Sequence, residues 1–160
     1  MNSFTSFQDI MENMPGNASF QFCPAIGIDS YPNPDNCEIS TEITFKTGYS
    51  WYDGVSISKQ LDFDEKEKNQ KPGKIYSKII KGFYPKQSKE ILSLFNEMKN
   101  QKFIVKIMDN NGYYRIVGSL EAPLNFNFSA KTGSLNSGTN GFNFSFNVDA
   151  PEPSPFYTYS

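Results

Sequence analysis

Strict alternation of apolar and polar residues runs through residues 124–129 and 142–148 and predicts two strands. The apolar positions are Leu124, Phe126, Phe128, Phe142, Phe144, Phe146 and Val148. This period buries one face of a strand and leaves the other in water. Segments 38–46, 55–63 and 75–84 are rich in β-branched and aromatic residues and carry a weaker form of the same signal. We therefore predict about seven strands.

One segment instead has the three- and four-residue spacing of a helix. Ser88 is a suitable N-cap and Glu90 lies in the first turn. The apolar stripe consists of Ile91, Leu92, Leu94, Phe95 and Met98. The predicted fold class is mainly β, an antiparallel β-sandwich or barrel with one packed α-helix at about residues 88–100 and with long loops.

Asn111-Gly112 lies between two strand-like segments and favours a two-residue type I′ hairpin turn. If these two residues form the turn, Ile107 faces Ile116 and Lys106 faces Val117. Residues 64–74 form a charged run that ends near Pro-Gly, which we interpret as a hairpin tip or a mobile loop. Lys131–Gly141 is a long Gly/Ser/Thr/Asn loop, typical of a functional or disordered connection.

We divide the chain into three parts. Residues 1–17 are expected to be a flexible N-terminal arm, with a short helix as the alternative. Residues 18–150 form a single β-sandwich domain. Residues 151–160 are a Pro-rich C-terminal tail whose three prolines should keep it out of a central strand.

Composition excludes several kinds of chemistry. The chain has 160 residues, a net charge of −2 and no histidine, so imidazole-based catalysis is impossible. Arg115 is the only arginine, and the lysines are balanced by acids, which disfavours a dedicated nucleic-acid-binding role. A mildly acidic surface suits a wall that DNA passes without sticking.

The sequence gives no sign of a cofactor, a metal or a membrane anchor. Cys23 and Cys37 are expected to be free thiols, although a disulfide remains possible, and without histidine they make no convincing zinc site. No apolar run approaches the ~20 residues that cross a bilayer, and the first residues do not resemble a signal peptide. We expect a protein that is made in the cytoplasm and needs no cofactor.

Two features could carry function. Asp35 with Asp64-Glu65-Lys66 resembles the acid–acid–lysine set of metal-dependent nucleases, but the triplet lies in a charged run where such sets arise by chance. We therefore expect no enzyme.

Trp51, with Tyr49 and Tyr52, lies in a glycine-bounded segment and could be either an intramolecular plug or an interface anchor. Stacking on such rings leaves open a carbohydrate-binding module.

Several segments together resemble small structural proteins of the tail modules of long-tailed bacteriophages, in particular the tail tube protein class. The resemblance covers most of residues 40–157. The segments are Ile43-Thr44-Phe45-Lys46-Thr47-Gly48-Tyr49-Ser50-Trp51, Phe103–Gly118, Pro123-Leu124-Asn125-Phe126, Thr132-Gly133, Asn140–Phe144 and Tyr157.

The resemblance implies a virion protein that forms stacked hexameric rings around a DNA channel. A tail terminator, neck protein or baseplate component would show the same features. Its partners would be copies of itself, other tail proteins and passing DNA that is not bound specifically, with no membrane. We expect the subunit interface to include Trp51, Tyr52, Glu65, Lys66, Pro72, Gly73, Leu135, Pro153, Phe156 and Tyr157. A soluble carbohydrate- or protein-binding β-sandwich module is the alternative from another class.

Overall fold

The computed structural model describes residues 17–57, 61–70, 73–84, 88–108, 112–132 and 140–159. Within these ranges the helix is α1 (Lys89–Met98), and a 3-10 turn spans Ala25–Gly27. The strands are β1 (Asn17–Pro24), β2 (Ile28–Ser30), β3 (Glu38–Ile39), β4 (Thr44–Phe45), β5 (Tyr52–Ile57), β6 (Asp62–Gln70), β7 (Gly73–Tyr84), β8 (Lys102–Met108), β9 (Tyr114–Val117), β10 (Leu124–Thr132), β11 (Asn140–Ala150) and β12 (Phe156–Tyr157).

Ten of these strands form one sheet. Its main path is β3-β12-β9-β8-β10-β11-β7-β6, and β1 pairs with both β8 and β5 beside that path. β12 runs parallel to β3, and the other pairings are antiparallel. β2 and β4 form a separate two-stranded sheet. The prediction of a mainly β protein with one helix is confirmed, although no sheet in the described ranges closes into a barrel.

The sheet curls until β5 lies beside β7. The Ser56 hydroxyl accepts a hydrogen bond from Phe83 N at 2.9 Å and lies 3.3 Å from the Phe83 carbonyl oxygen, to which it donates. Both partners are buried. A side-chain bridge therefore joins the two strands, between which the described residues form no backbone ladder.

Phenylalanine is the most frequent residue of the larger core. The predicted alternation in β10 and β11 is confirmed, since Phe126 pairs with Phe146 and their rings meet at 5.0 Å between centroids. Helix α1 closes this core through Phe95. That ring contacts the rings of Phe126, Phe128, Phe142 and Phe144. Such edge-to-face contacts add to the area that each ring buries.

The helix begins as predicted. The Ser88 hydroxyl caps it by accepting a hydrogen bond from Ile91 N at 3.2 Å. Four residues of the predicted stripe, Ile91, Leu94, Phe95 and Met98, are buried. Leu92 is the exception, since 48% of its surface stays exposed.

A second, smaller core lies on the opposite face of β1, β8 and β9. Ile104 faces it, while the neighbouring Phe103 and Val105 face the larger core. β8 is therefore buried on both faces. The β2–β4 sheet covers the second core and contributes Ile28 and Phe45.

The predicted register of the β8–β9 hairpin is wrong by one residue. Lys106 pairs with Ile116 and Met108 pairs with Tyr114. Five residues therefore connect the strands, where a type I′ turn would leave two. Gly112 takes a φ of +86° in this longer connection, a value that suits glycine.

Two predicted loops contain more strand than we expected. The charged run 64–74 lies mostly within β6 and β7, which pair continuously from Asp62↔Lys81 to Gln70↔Gly73. β10 and β11 likewise extend into the predicted 131–141 loop. An edge strand accommodates charged residues well, because its outer side chains stay in water. The predicted 38–46 strand, by contrast, divides into β3 and β4.

The Pro-rich segment, defined here as residues 151–159, also corrects an expectation. Its prolines precede β12, and β12 pairs on both sides, with β3 and with β9. Proline has no backbone N–H to donate, so each proline keeps its own position out of the β-ladder but does not affect the residues that follow. The predicted arm at 1–16 lies outside the described residues.

Candidate functional site

Three charged side chains meet beneath the Pro-rich segment. Glu65 on β6 lies 3.9 Å from the Lys78 ammonium on β7 and 3.5 Å from Nη2 of Arg115 on β9, measured to its two carboxylate oxygens. Only 5% of the Lys78 side chain and 15% of the Glu65 side chain are exposed. Burial lowers the pKa of Lys78, and the Glu65 carboxylate opposes that shift. The carboxylate of Glu65 and the cations of Lys78 and Arg115 therefore stabilise one another in this buried site.

Ser154 of the Pro-rich segment completes this group. Its backbone N–H and its hydroxyl both donate to Glu65 Oε1, at 2.9 and 2.7 Å. Its carbonyl oxygen accepts from Arg115 Nη2 at 2.6 Å and from Nε at 3.2 Å. The Arg115 guanidinium also lies over the Phe156 ring, 4.6 Å from the centroid. These charge-assisted bonds bind the segment to two strands, β6 through Glu65 and β9 through Arg115.

Phe156 and Tyr157 then enter the groove between β3 and β9. Phe156 N donates to the Cys37 carbonyl oxygen at 2.9 Å, and Ile116 N donates to the Pro155 carbonyl oxygen at 3.0 Å. The Tyr157 hydroxyl accepts from Ile43 N at 3.1 Å in the second core. Backbone pairing and a side-chain pocket thus act together, as in peptide recognition by strand addition.

Lys106 lies among three aromatic rings on the second-core side of β8. Its ammonium is 4.9 Å from the centroid of Tyr114, 5.5 Å from that of Tyr157 and 5.6 Å from that of Trp51. Burial lowers its pKa, and Asp53 opposes the shift. Cation–π attraction of this kind stabilises a partly desolvated ammonium.

Exposed apolar side chains lie where β8, β9 and β12 meet, on both faces of the sheet: Lys106 lies over the Tyr114 ring on one face, and Arg115 lies over the Phe156 ring on the other. We call them the apolar corner: Met108, Tyr113, Tyr114, Phe156 and Tyr159. Met108 pairs with Tyr114, and the Tyr113 and Phe156 rings contact each other at 6.0 Å. Each of these side chains keeps between 38% and 61% of its surface exposed.

The β6–β7 hairpin extends beyond the rest of the sheet. β11 covers β7 only as far as the Ala150↔Tyr76 pair, so the hairpin continues for several further residues without that neighbour. Ion pairs Lys74–Glu67 at 3.2 Å and Lys66–Asp64 at 3.6 Å run along it in water. Within the part of the chain that the structure describes, β6 has β7 as its one strand partner.

Two cavities formed by the described residues lie near these features. The lining of one, of about 580 Å³, includes Asn127, Ser129, Asn143 and Ser145 of β10 and β11 together with Asp62 and Lys81 of β6 and β7. The other, of about 320 Å³, lies beside the charged group, and its lining includes Tyr31, Lys78, Glu121 and Glu152. Burial and the two glutamates raise the pKa of Tyr31.

The structure places the predicted interface residues in different environments. It brings Glu65, Phe156 and Arg115 together, and it places Trp51 and Tyr157 around the same lysine. Lys66, Gly73 and Phe156 are exposed, and Pro153 is half-buried.

Two predicted interface residues are buried within the chain itself. Tyr52 keeps 4% of its surface exposed and Tyr157 keeps 7%. Both side chains pack against residues of their own chain. Pro72 and Leu135 lie outside the described residues.

Sequence reasoning missed Ser154, Lys78 and Lys106. Lys78 occupies the same face of β7 as the buried Ile80, a position where a charge needs a partner. The alternation of inward and outward positions along β7 was therefore the sequence signal that could have identified Lys78. Ser154 and Lys106 gave none, because their partners come from distant segments.

The described ranges contain no group of three His, Cys, Asp or Glu side chains positioned to hold a metal ion. The Asp35 and Glu38 backbones form a β-bridge, and the Glu65 carboxylate accepts hydrogen bonds from Ser154. Both cysteines are free; Cys23 is buried and Cys37 is exposed. No helix in these ranges has the length and apolar character needed to cross a membrane.

No protein-family model matches the sequence, and neither a curated protein nor a solved structure is similar enough to match it.

Proposed function

We propose that this chain is a structural protein of a bacteriophage tail that assembles with copies of itself. The position that we favour within the virion is the tail tube, where the chain would be a subunit of stacked rings around a DNA channel. A tail terminator, neck or baseplate position is the alternative within the virion. Its partners would be its own copies and other tail proteins, with DNA passing and not bound specifically.

The apolar corner carries this proposal. Met108, Tyr113 and Tyr159 keep 50%, 61% and 45% of their surfaces exposed. Tyrosine and methionine are enriched at protein interfaces, where burial of such side chains supplies much of the binding free energy. A copy of the same chain is the partner that self-assembly requires, and a heterologous contact between copies closes into a ring when the rotation permits.

The overhanging β6–β7 hairpin supports the same proposal. Its outer residues contribute little to either core, since Lys68, Lys74 and Gly73 are exposed. A projecting, charged edge is suited to reach a neighbouring subunit while it resists unspecific strand pairing. The acidic net charge of the chain fits a channel wall that DNA must pass.

A shortened hairpin tests the proposal. Replacing residues 68–75 by Asn-Gly keeps the Glu67↔Tyr76 pair and the Glu65 contacts, and it removes only the overhang. We expect the unmodified chain to form rings or tubes in negative-stain images and in sedimentation velocity. The shortened chain should keep its circular dichroism spectrum and melting temperature and remain a monomer.

Lys99→Ala, at the exposed end of α1, is the matched control and should assemble normally. Normal assembly by the shortened chain would remove the hairpin from the proposal. A full chain that stays monomeric at every concentration would overturn the self-assembly function itself.

A second candidate function is a carbohydrate- or protein-binding module. The 580 Å³ cavity favours it, because Asn127 and Asn143 offer both donors and acceptors on one open face. An Asn127→Ala/Asn143→Ala variant should then lose binding on a glycan array while it keeps its fold. Binding that survives this change would exclude the cavity as the site.

A further inference from the structure

The smaller of the two cavities described above, of about 320 Å³, lies where the Pro-rich segment meets the rest of the fold. The segment contributes Glu152, Pro153 and Pro155 to its lining, and the connection between β9 and β10 contributes residues 118–122. Small-molecule sites occupy about 300 to 1,000 Å³, and this cavity lies at the lower end of that range. It therefore has the size of a site for a small ligand.

A nearly buried lysine lines this cavity. Only 5% of the Lys78 side chain is exposed, and its ammonium group carries three N–H donors. Within the described ranges this ammonium forms no hydrogen bond, because the Glu65 carboxylate oxygen at 3.9 Å is beyond hydrogen-bond distance. A buried donor without an acceptor costs free energy, so an acceptor supplied from the cavity would stabilise Lys78.

The charges around Lys78 leave a place for an anionic group. Glu65 is a single carboxylate shared by two cations, Lys78 and Arg115. The Glu65 oxygen that faces Lys78 already accepts two hydrogen bonds from Ser154. These three charged side chains therefore carry one surplus positive charge, which a ligand carboxylate beside Lys78 would neutralise.

Two glutamates give the solvent side of the cavity the opposite charge. Glu121 and Glu152 belong to the lining and are exposed. Burial, together with the carboxylates of both glutamates, raises the pKa of Tyr31 in the same lining. Burial lowers the pKa of Lys78, and Glu152 is one of the carboxylates that oppose this shift. An ammonium group on a ligand would meet the two glutamates while it stays close to water.

Most of the remaining lining is apolar. Leu120 and four prolines contribute to it, and the Tyr31 hydroxyl is already engaged, since it donates to the Gly118 carbonyl oxygen at 2.9 Å. The prolines are Pro34, Pro151, Pro153 and Pro155. Such a wall suits the carbon atoms of a ligand whose charges lie at its two ends.

We propose that this cavity binds a small zwitterion of the amino-acid class, with its carboxylate beside Lys78 and its ammonium beside Glu121 and Glu152. The inference is independent of the self-assembly proposed above. Because the lining comes from the Pro-rich segment as well as from the rest of the fold, the bound ligand joins the two and stabilises the segment in its groove.

Calorimetric titration of the full chain tests the ligand class. The probes are glycine, β-alanine and γ-aminobutyrate, and each is compared with the carboxylate and the amine of the same carbon number. We expect at least one zwitterion to bind about tenfold more tightly than both of its single-charge counterparts, because each counterpart lacks one of the two charged contacts. Equal binding of the amine or of the carboxylate, or no binding of any zwitterion at millimolar concentration, would overturn the proposal.

Variants of the lining test the placement of the two charges. A Glu121→Gln/Glu152→Gln variant keeps the side-chain sizes at exposed positions, so it should fold normally. It should weaken zwitterion binding about tenfold and leave binding of the matching carboxylate unchanged. Lys78→Met should instead abolish binding of the carboxylate. The matched control is Glu97→Gln, an exposed residue of α1 outside the cavity lining. An equal loss in the control would overturn the assigned site.

Hydrogen exchange supplies a readout besides affinity. The backbone N–H groups of Ser154, Phe156 and Thr158 hold the Pro-rich segment in its groove. A saturating zwitterion should slow exchange at these amides more than at Leu92 N, which donates to the Ser88 carbonyl oxygen at the start of α1. Exchange at the segment that does not change when the zwitterion is bound would overturn the proposed site.

Discussion

Glu65 and Ser154, 89 residues apart in the sequence, are joined by two hydrogen bonds to a single carboxylate oxygen. The other oxygen of that carboxylate faces Arg115 at 3.5 Å. One side chain on an edge strand thereby positions both the single arginine of the chain and the Pro-rich segment.

Glu65→Ala should lower the free energy of unfolding by about 3 kcal/mol, because it leaves Lys78 and Arg115 without their shared counter-charge and Ser154 without its acceptor. Urea unfolding followed by circular dichroism measures the change. The matched control is Asp64→Asn on the same strand, whose ion pair with Lys66 is solvent-exposed. That variant should change stability by less than about 0.5 kcal/mol. Equal losses in the two variants would contradict the role of Glu65.

The free energy of unfolding should fall at high pH because of the buried Cys23 thiol. Burial raises the pKa of this thiol to about 12, from an ordinary value of 9.0. Between these values the unfolded chain has released the proton and the folded chain keeps it, so the free energy of unfolding falls as pH rises. A Cys23→Ala variant should show a flatter dependence from pH 9 to 12 in urea titrations. An unchanged slope would refute this assignment.

The two thiols should also differ in reactivity at pH 8. Cys37 is exposed and should react with a thiol reagent within minutes, whereas Cys23 is buried and protonated. The measurement counts labelled thiols by mass spectrometry, with and without urea. We expect one label on the folded chain and two on the unfolded chain. Rapid double labelling without urea would show that Cys23 is accessible.

Phe95→Ala should cost about 4 kcal/mol of stability, because the ring contacts four other phenylalanines between α1 and the sheet. Leu92→Ala on the same helix is the control. Leu92 is half-exposed, and its truncation should cost less than about 1 kcal/mol. Thermal and urea unfolding of both variants test the difference.

Gly54→Ala should destabilise the fold by about 2 kcal/mol, since a Cβ at this position would overlap the ring of Phe20. Gly73→Ala should leave stability nearly unchanged, because a Cβ at residue 73 meets no atom within 4 Å. A comparison of melting temperatures distinguishes the two. Similar melting temperatures would mean that the Phe20 ring moves aside without loss.

The fold was most predictable where one local pattern determined an element. Ser88 and the apolar stripe after it predicted α1, and strict alternation predicted which side chains of β10 and β11 face the core, Phe126 and Phe146 among them. In both cases the signal and the contacts lie within a short stretch of chain. The β8–β9 register failed because Asn111-Gly112 favours a short turn and the strands use a longer one.

The candidate site was much less predictable. The polarity of residues 64–70 cannot distinguish a solvated loop from an edge strand, because both keep their charges in water. Glu65 becomes buried only because Arg115 and Lys78 arrive from other strands. β12 was missed for a related reason: its neighbours β3 and β9 lie far from it in the sequence.

The double-sided burial of β8 has a consequence for synthesis. β1 pairs with β8 at positions such as Phe22↔Val105, and Val105 follows Phe22 by more than eighty residues. When only the first 100 residues of a nascent chain have emerged, the edge of β1 that pairs with β8 therefore has no partner strand. Structures dominated by distant pairings fold slowly, in milliseconds to seconds. Until β8 emerges, the aromatic side chains of β1 lie open to chaperones and to other nascent chains.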